Sequence, residues 1–221
     1  MKRAVDVTVG SIIALVALPI IGVLALVGLL VWRANPFFVQ DRVGRHGRMY
    51  RVFKLRSLPP QAPAYADKYA IQQVEIPPYG RLLRALHLDE LPQILHVVSG
   101  RMSLVGPRPE MAFLHEQMPD HFAAERITAR PGVTGLWQIS EAVTGLIMEA
   151  PEYDRAYLAN QTLRLDAWIL WRTVIKPLGA PHVTLADVPA WVLPADAPAP
   201  ERLAAVHTGN RADGLGEASA A

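Results

Sequence analysis

Two neighbouring carboxylates, Asp89 and Glu90, lie in the run His87-Leu88-Asp89-Glu90-Leu91-Pro92, and further on an arginine stands between prolines in Gly106-Pro107-Arg108-Pro109. Consecutive side chains on a helix diverge by about 100°, so Asp89 and Glu90 cannot share one face. They suit different tasks, one holding a metal and one attacking as a nucleophile. The start of a helix favours an ionised carboxylate, as a nucleophile requires. A capping Asp followed by an exposed Glu explains the same residues, and spacing alone leaves both readings open. Around Arg108 the prolines restrict the backbone and pre-position a guanidinium whose fork matches phosphate oxygens. A rigid turn with a solvated arginine is the plainer alternative. Arg130, in Arg130-Pro131-Gly132, has the same two readings. In Phe53-Lys54-Leu55-Arg56 the alternation sends Lys54 and Arg56 to one side of a strand, as a phosphate-facing pair or as a solvated face.

Several common chemistries are missing from the sequence. It has no P-loop and no G-x-G-x-x-G after a strand, no H-E-x-x-H or zinc spacing among seven histidines, and no G-x-S-x-G around Ser103 or Ser140. His87 and His96 flank the acidic pair and read as structural. The absence of cysteine excludes thiolate chemistry and a disulfide scaffold, and fits a reducing compartment. A net charge of +2 gives little support to nucleic acid as a partner.

The elements expected to position these residues follow from periodicity. Residues 36–58 predict short strands, Phe37 to Val39 and Met49 to Leu55, around a Gly44–Gly47 turn. Residues 59–78, with five prolines, predict a loop around a short helix. A helix from Tyr79 to Leu86 places Leu82, Leu83 and Leu86 opposite Arg81 and Arg84. A second, from Asp89 or Glu90 to Val98, tolerates Pro92 in its first turn and closes at Gly100. Turns at 101–109 and 129–138 bracket a helix over Pro109 to Met118. Residues 151–178 predict helix, and Trp168 and Trp171 there fit either an interfacial helix or a core-facing one. From Pro194 onward 15 of 28 residues are Ala, Pro or Gly, which predicts a disordered tail.

The N-terminus addresses a membrane. Val7 to Trp32 carries no charge over 26 residues, more than the ~20 that cross a bilayer as a helix. No small-x-small cleavage site follows, so it does not read as a signal peptide. Pro19 sits mid-segment, and basic residues flank both ends: Lys2 and Arg3 before it, then seven between Arg33 and Arg56 against the single acid Asp41. Basic flanks prefer the cytoplasmic side, which one span cannot satisfy for both ends. A helix that breaks near Pro19 and returns to the same leaflet satisfies both, but the break must find partners for freed backbone groups. On these grounds re-entrant and spanning forms both stand. The basic strip fits topogenic charges, an anionic leaflet or a phosphorylated substrate.

Taken together, KRAVDVTVG, FVQDRVGRHGRMYRVFKLRSL (38–58), YGRLLRALHLDELPQILHVVSGRMSLVGPRPE (79–110), RPGVTGLWQIS (130–140) and YDRAYL…LRLDAWILWRT resemble the bacterial sugar transferase family, the monotopic phosphoglycosyl transferases that begin lipid-linked glycan assembly. The resemblance runs from Lys2 to about Thr173. It implies an α+β, mainly helical fold. A re-entrant membrane helix broken near Pro19 (1–35) would precede a small cytosolic catalytic domain with interfacial amphipathic helices (36–185) and a tail (186–221). The residue matching Asp89 would attack the β-phosphate of a UDP-sugar, expel UMP and carry the sugar phosphate until polyprenyl (undecaprenyl) phosphate takes it. Glu90 would help hold Mg²⁺. Arg108 would contact phosphate, Arg56 would pair with the nucleophile, and Lys54, Arg130 and Gln138 would complete the substrate contacts. The implied location is the cytoplasmic face of a bacterial inner membrane, with the bilayer and a possible second copy as further partners. Leu18 stands before Pro19 where Ser-Pro is frequent, and Glu141-Ala142 stands where Gly-Arg is usual. Two rivals remain: a membrane-bound, metal-dependent hydrolase passing a diphosphate to water, and a non-catalytic scaffold.

Overall fold

The computed structural model describes residues 1–63 and 74–196. Part of the predicted loop at 59–78 and most of the predicted tail lie outside the described residues. The chain divides into two compact units, Met1–Thr134 and the part from Gly135 onward. It is mostly helical, with one long apolar helix at the N-terminus.

In the first unit, α1 runs from Lys2 to Trp32 and ends at Arg33 in the left-handed conformation. Leu, Val, Ile and Ala dominate it, and a helix satisfies every backbone group internally, as an apolar solvent demands. Pro19 is accommodated inside helical backbone, so the expected break is not a gap in the helix. A proline there removes one backbone hydrogen bond while the helix continues on both sides. One stripe, Asp6, Gly10, Ala14, Ala17 and Ile21, is buried, while Ile12, Leu15, Val16, Val23, Leu26 and Leu30 are exposed. Both ends are tied to the unit. Arg3 donates to Val97 O (2.6 Å) and Val98 O (2.9 Å), and the Asp6 carboxylate accepts from Ser103 Oγ and Leu104 N. At the far end Tyr79 Oη donates to Leu24 O (2.6 Å) and Trp32 Nε1 to Arg56 O (2.9 Å).

Strands β1 (Phe37–Val43, longer than the expected Phe37 to Val39) and β2 (Met49–Leu55, as expected) pair as an antiparallel hairpin, with Phe38 opposite Lys54, Gln40 opposite Val52 and Arg42 opposite Tyr50. Gln40, Arg42 and Val52 on this face are buried, so polar residues take core positions. Helix α2 spans Pro78–Ala85, and Pro78 fits its first turn. Of the three leucines expected on one side only Leu83 is buried, because the packed face is Gly80 and Leu83; Leu82 and Leu86 are about half exposed. A 3-10 turn, Leu88–Gln93, leads into α3, Ile94–Ser99, which closes at Gly100 (φ 87°). The expected second helix therefore begins as a tighter coil. Two short strands that the sequence showed only as turns, β3 (Ser103–Val105) and β4 (Gly132–Thr134), pair in parallel. Between them lie α4 (Ala112–Glu116) and α5 (Asp120–Arg126).

The second unit holds α6 (Leu136–Ile139), α7 (Pro151–Ala159) and α8 (Leu163–Ile175). The helix expected over 151–178 divides at Asn160, because Thr162 starts a new one by accepting Leu165 N on its hydroxyl. Leu165 and Ile169 of α8 are buried, whereas Trp171, Val174 and, past the helix end, Leu178 are exposed. Residues 185–193, part of which fell in the predicted tail, form two 3-10 turns that bury Val188 and Val192.

Candidate active site

The loop carrying Arg108 is fastened at four consecutive carbonyls. Pro107 O accepts from Gly132 N (2.9 Å), Arg108 O from Arg126 Nη2 (2.5 Å), Pro109 O from Arg42 Nη1 (3.0 Å) and Glu110 O from Val43 N (2.9 Å). Gly106 N adds a bond to Thr134 O. A side chain at Gly106 would strike Arg130 O, and one at Gly132 would strike Gly106 N, so glycine at both is what lets the strands approach. Backbone freedom is removed here before any ligand arrives, which is how a guanidinium is pre-organised.

Side chains from the hairpin, the 3-10 turn and this loop meet in a row of alternating charge. Lys54 Nζ donates to Glu90 Oε1 at 2.6 Å. Arg108 Nη2 lies 3.8 Å from the same oxygen, and its Nε lies 4.0 Å from Glu110 Oε1. Arg42 Nη1 is 3.6 Å from Glu110 Oε2, and its Nη2 donates to Gln40 Oε1. Exposure is greatest in the middle of the row, where the Arg108 side chain keeps 30%; Lys54 and Glu90 keep 19%, and Glu110 and Arg42 at the other end are buried.

Asp89 and Glu90 diverge as the coil geometry requires. Asp89 Oδ2 accepts from Ser57 Oγ at 3.4 Å, while Glu90 turns to Lys54. Their electrostatics diverge too. Burial and then the negative charge of Glu90 push the Asp89 carboxyl above the ordinary aspartate value, with Lys54, Arg84 and His87 only partly opposing. Burial alone would also raise Glu90, but Lys54 and then Arg108 overcome it and hold it at about 2. For Lys54, burial wins over its attraction to Glu90, and its ammonium titrates lower than usual. Arg108 resists the same burial because Glu90, Glu110 and Asp89 surround it, and its value is raised. Two carboxylates driven apart in this way are the pattern of groups with different chemical roles.

The structure brings together Lys54, Asp89, Glu90 and Arg108 of the residues singled out from the sequence. Arg56 and Arg130 make other bonds within the same unit, and Gln138 belongs to the other unit. The Arg56 guanidinium donates to Asn35 O (2.8 Å) and Phe37 O (3.4 Å), bracing the α1–β1 junction, because residue 56 lies past the end of β2. Arg130 Nε donates to Gly100 O (3.0 Å), at the C-terminal end of α3. Gln138 belongs to the second unit, where its backbone carbonyl accepts from Lys176 Nζ and its buried side-chain amide has no partner among the described residues. The sequence reading missed Ser57, Arg42 and Glu110. Gln40 and Arg42 carried a signal, since polar residues at alternate positions of a strand on its core-facing side ask for a buried partner.

Among the described residues no group of three or more His, Asp or Glu could hold a metal. The adjacent carboxylates of Asp89 and Glu90 nevertheless offer hard oxygen donors. Mg²⁺ characteristically takes one or two carboxylates and completes its shell with water and substrate phosphates.

Comparison with known proteins gives the same assignment over most of the chain. The model of the family described as bacterial sugar transferase matches residues 1–179. A UDP-N-acetylgalactosamine-undecaprenyl-phosphate N-acetylgalactosaminephosphotransferase from Aeromonas hydrophila is 32% identical over 79% of this chain and 43% of its own length. An undecaprenyl-phosphate glucose phosphotransferase from Komagataeibacter xylinus is 34% identical over 77% of this chain and 33% of its own length. The exopolysaccharide production protein ExoY of Rhizobium meliloti is 30% identical over 78% of this chain and 83% of its own. The chain thus spans less than half the length of the first two relatives and most of the third. With the family model covering α1, the hairpin, the acidic pair and the Arg108 loop, the chain belongs to the bacterial sugar transferase family.

Proposed function

We propose that this protein transfers a sugar 1-phosphate from a UDP-sugar to undecaprenyl or a related polyprenyl phosphate, with Asp89 as the nucleophile. An Asp89 oxygen bonds to the β-phosphorus as the bond from that phosphorus to the bridging oxygen breaks, and UMP leaves. A phosphate oxygen of the lipid then bonds to the same phosphorus. The Asp89 carboxylate leaves, and a polyprenyl diphosphate sugar is formed. The observation that carries this reading is the contrast in partners: Glu90 Oε1 has Lys54 Nζ at 2.6 Å and Arg108 Nη2 at 3.8 Å, whereas Asp89 Oδ2 meets the Ser57 hydroxyl at 3.4 Å. A carboxylate destabilised by burial and a neighbouring charge is the more reactive, whereas one locked to Lys54 and Arg108 is suited to holding charge in place. Arg108, fixed through its backbone, offers guanidinium donors to the phosphoryl oxygens. Ser57 orients the attacking carboxylate. Mg²⁺ held by Glu90, with Asp89 beside it, would neutralise the charge that develops on the transferred phosphoryl group. The names of the relatives support both the nucleotide-sugar donor and the lipid phosphate acceptor.

The same proposal puts α1 in one leaflet, with the first unit on the cytoplasmic face. Support comes from the contacts at its two ends. A straight helix of this length would reach about 46 Å. A span would leave its ends on opposite sides of ~30 Å of hydrocarbon, yet Arg3 and Trp32 both bond to the one compact unit. Helix α8 offers Trp171 and Val174 to a lipid surface in the manner of an interfacial helix.

The test is nucleotide release from a panel of UDP-sugars with purified protein, Mg²⁺ and polyprenyl phosphate, for wild type and Asp89→Asn. UMP release that needs the lipid for turnover and disappears in the variant supports phosphoglycosyl transfer. UDP release would mean that the phosphate stays behind, and repeated UMP turnover without lipid, beyond one UMP per protein, would mean hydrolysis; either result rejects the proposal.

A further inference from the structure

Arg42 is 8% exposed, and the bonds it makes lead to the loop that carries Arg108 or back to its own strand. Nη1 reaches Pro109 O at 3.0 Å and Glu110 Oε2 at 3.6 Å, and Nη2 donates to Gln40 Oε1. Gln40 is fixed in turn by its amide, which donates to Met111 Sδ at 3.0 Å just past the loop. A buried arginine is a poor stabiliser compared with a hydrophobic residue of similar size. Its presence in a hairpin core calls for an explanation beyond folding.

The explanation lies in how Arg108 is shared. Its contacts with Glu90 and Glu110 are long, single-point ion pairs of 3.8 and 4.0 Å. One falls on Nη2 and the other on Nε, so each carboxylate meets a single nitrogen and neither forms a two-pronged pair that would have to be broken before a phosphate is bound. Glu110 can leave Arg108 in this condition because Arg42 occupies its other oxygen. Without Arg42, both Glu110 oxygens would face one cation, and the fork geometry would favour a bidentate Arg108–Glu110 pair that withdraws Arg108 from Glu90. We propose that Arg42 is a positioning residue for Arg108: by holding Glu110 Oε2 and the Pro109 carbonyl, it keeps the Arg108 guanidinium between two carboxylates and presented to the phosphate of the donor. This rests on the reading of Arg108 as a phosphate-binding group.

The experiment compares wild type, Arg42→Met, Arg42→Lys and the double variant Arg42→Met with Glu110→Gln. Two quantities are read in detergent with the full chain: donor KM and kcat for UMP release from the UDP-sugar that wild type turns over, and the rise in melting temperature caused by inorganic pyrophosphate. Arg42→Met is expected to raise donor KM by roughly tenfold or more, the scale on which a residue that orients a ligand-contacting group acts. It should change kcat less and should lose most of the pyrophosphate effect. Arg42→Lys should fall between, since a point charge cannot reach Pro109, Glu110 and Gln40 together. Adding Glu110→Gln should restore KM, because the neutral amide no longer captures Arg108. A lower kcat with unchanged KM would mean only that less protein folds, and would overturn the proposal, as would a double variant no better than Arg42→Met. If wild type releases UMP from no donor, the functional reading fails on its own. The pyrophosphate series then decides: a shift that depends on Arg42 supports the positioning role, and an equal shift in Arg42→Met rejects it.

Discussion

Lys54 Nζ lies 2.6 Å from Oε1 of Glu90, within hydrogen-bonding distance and largely out of solvent. The pair sets Glu90 apart from Asp89, one residue away. Glu90 gains a cation that outweighs its burial, whereas Asp89 gains chiefly a weak hydroxyl contact from Ser57 and the repulsion of Glu90. One carboxylate is stabilised as an anion and its neighbour is made a costly one. The difference arises from partners, since the two residues occupy the same turn.

Asp89→Asn should therefore melt above wild type at pH 7 while losing turnover. A folded-state pKa raised above the unfolded value means that the ionised form opposes folding once both states are deprotonated. A neutral amide removes that opposition. The gain should be a few degrees for a chain of this size, and UMP release should fall at least about a thousandfold. Thermal melts in detergent check it, and a variant that melts below wild type would contradict the strained carboxylate.

Glu90→Gln should act in the opposite sense on stability. It strands Lys54 without its partner, which for a fully buried pair costs about 3–5 kcal/mol and here, with both side chains retaining some exposure, about 1–3 kcal/mol. The pH dependence follows from the same shift. Glu90 titrates near 2 when folded and near 4.3 when unfolded, so its contribution is complete above the unfolded value and is lost as pH falls from about 5 towards 2. Urea titrations between pH 3 and 7 should show wild type losing this increment and Glu90→Gln lacking it.

What could be read from the sequence was local. Alternation in Met49 to Leu55, the Gly44–Gly47 turn and the uncharged run of α1 each specify an element through neighbouring residues, and those elements are present. Asp89, Glu90 and Arg108 stood out beside prolines and a helix start and Lys54 through strand alternation, although spacing alone left each with a plainer reading. The parallel pairing of β3 with β4 joins segments about thirty residues apart, and three-residue strands carry no usable period. Arg42 and Glu110 were missed for a related reason: their roles are defined by each other across the chain, and neither position is unusual alone. Arg56 shows the limit of alternation: β2 ends at Leu55, and the Arg56 guanidinium bonds to Asn35 O and Phe37 O.

The rate of UMP release should fall on acidification along a limb set by Asp89. The attacking group must be ionised, and burial with the charge of Glu90 raises its pKa, so the limb should lie above the ~3.9 of an ordinary aspartate. Glu90→Gln removes the repelling charge and should move the limb downward in whatever activity remains. A kcat/KM profile flat down to the ordinary aspartate value would place the rate-controlling ionisation elsewhere.

Gly132→Ala should abolish activity by displacing the Arg108 loop. The added carbon would strike Gly106 N and the carbonyls nearby, all of them backbone atoms with no side chain to swing aside. Strands β3 and β4 must separate, and with them goes the Gly132 N to Pro107 O bond. The expected loss of stability is of the size typical of overpacking, about 1–3 kcal/mol, with a larger proportional loss in donor turnover. Equal activity in Gly132→Ala would show that the loop need not be held so closely.

The placement of α1 can be tested cleanly because the chain has no cysteine. Ala4→Cys and Arg33→Cys put single thiols at exposed positions near the two ends of the helix. If both ends are held against the one unit by Arg3, Asp6 and Trp32, a membrane-impermeant maleimide should label both thiols from the same side of sealed, oriented vesicles. It should label neither from the other side. Opposite labelling would mean that α1 crosses the bilayer, and the contacts of Arg3 with Val97 and Val98 could not then persist alongside that of Trp32 with Arg56. The exposed Leu15, Val16 and Val23 near Pro19 would be buried in hydrocarbon in either case. The labelling pattern at the ends, rather than extraction behaviour, is therefore what separates a returning helix from a span.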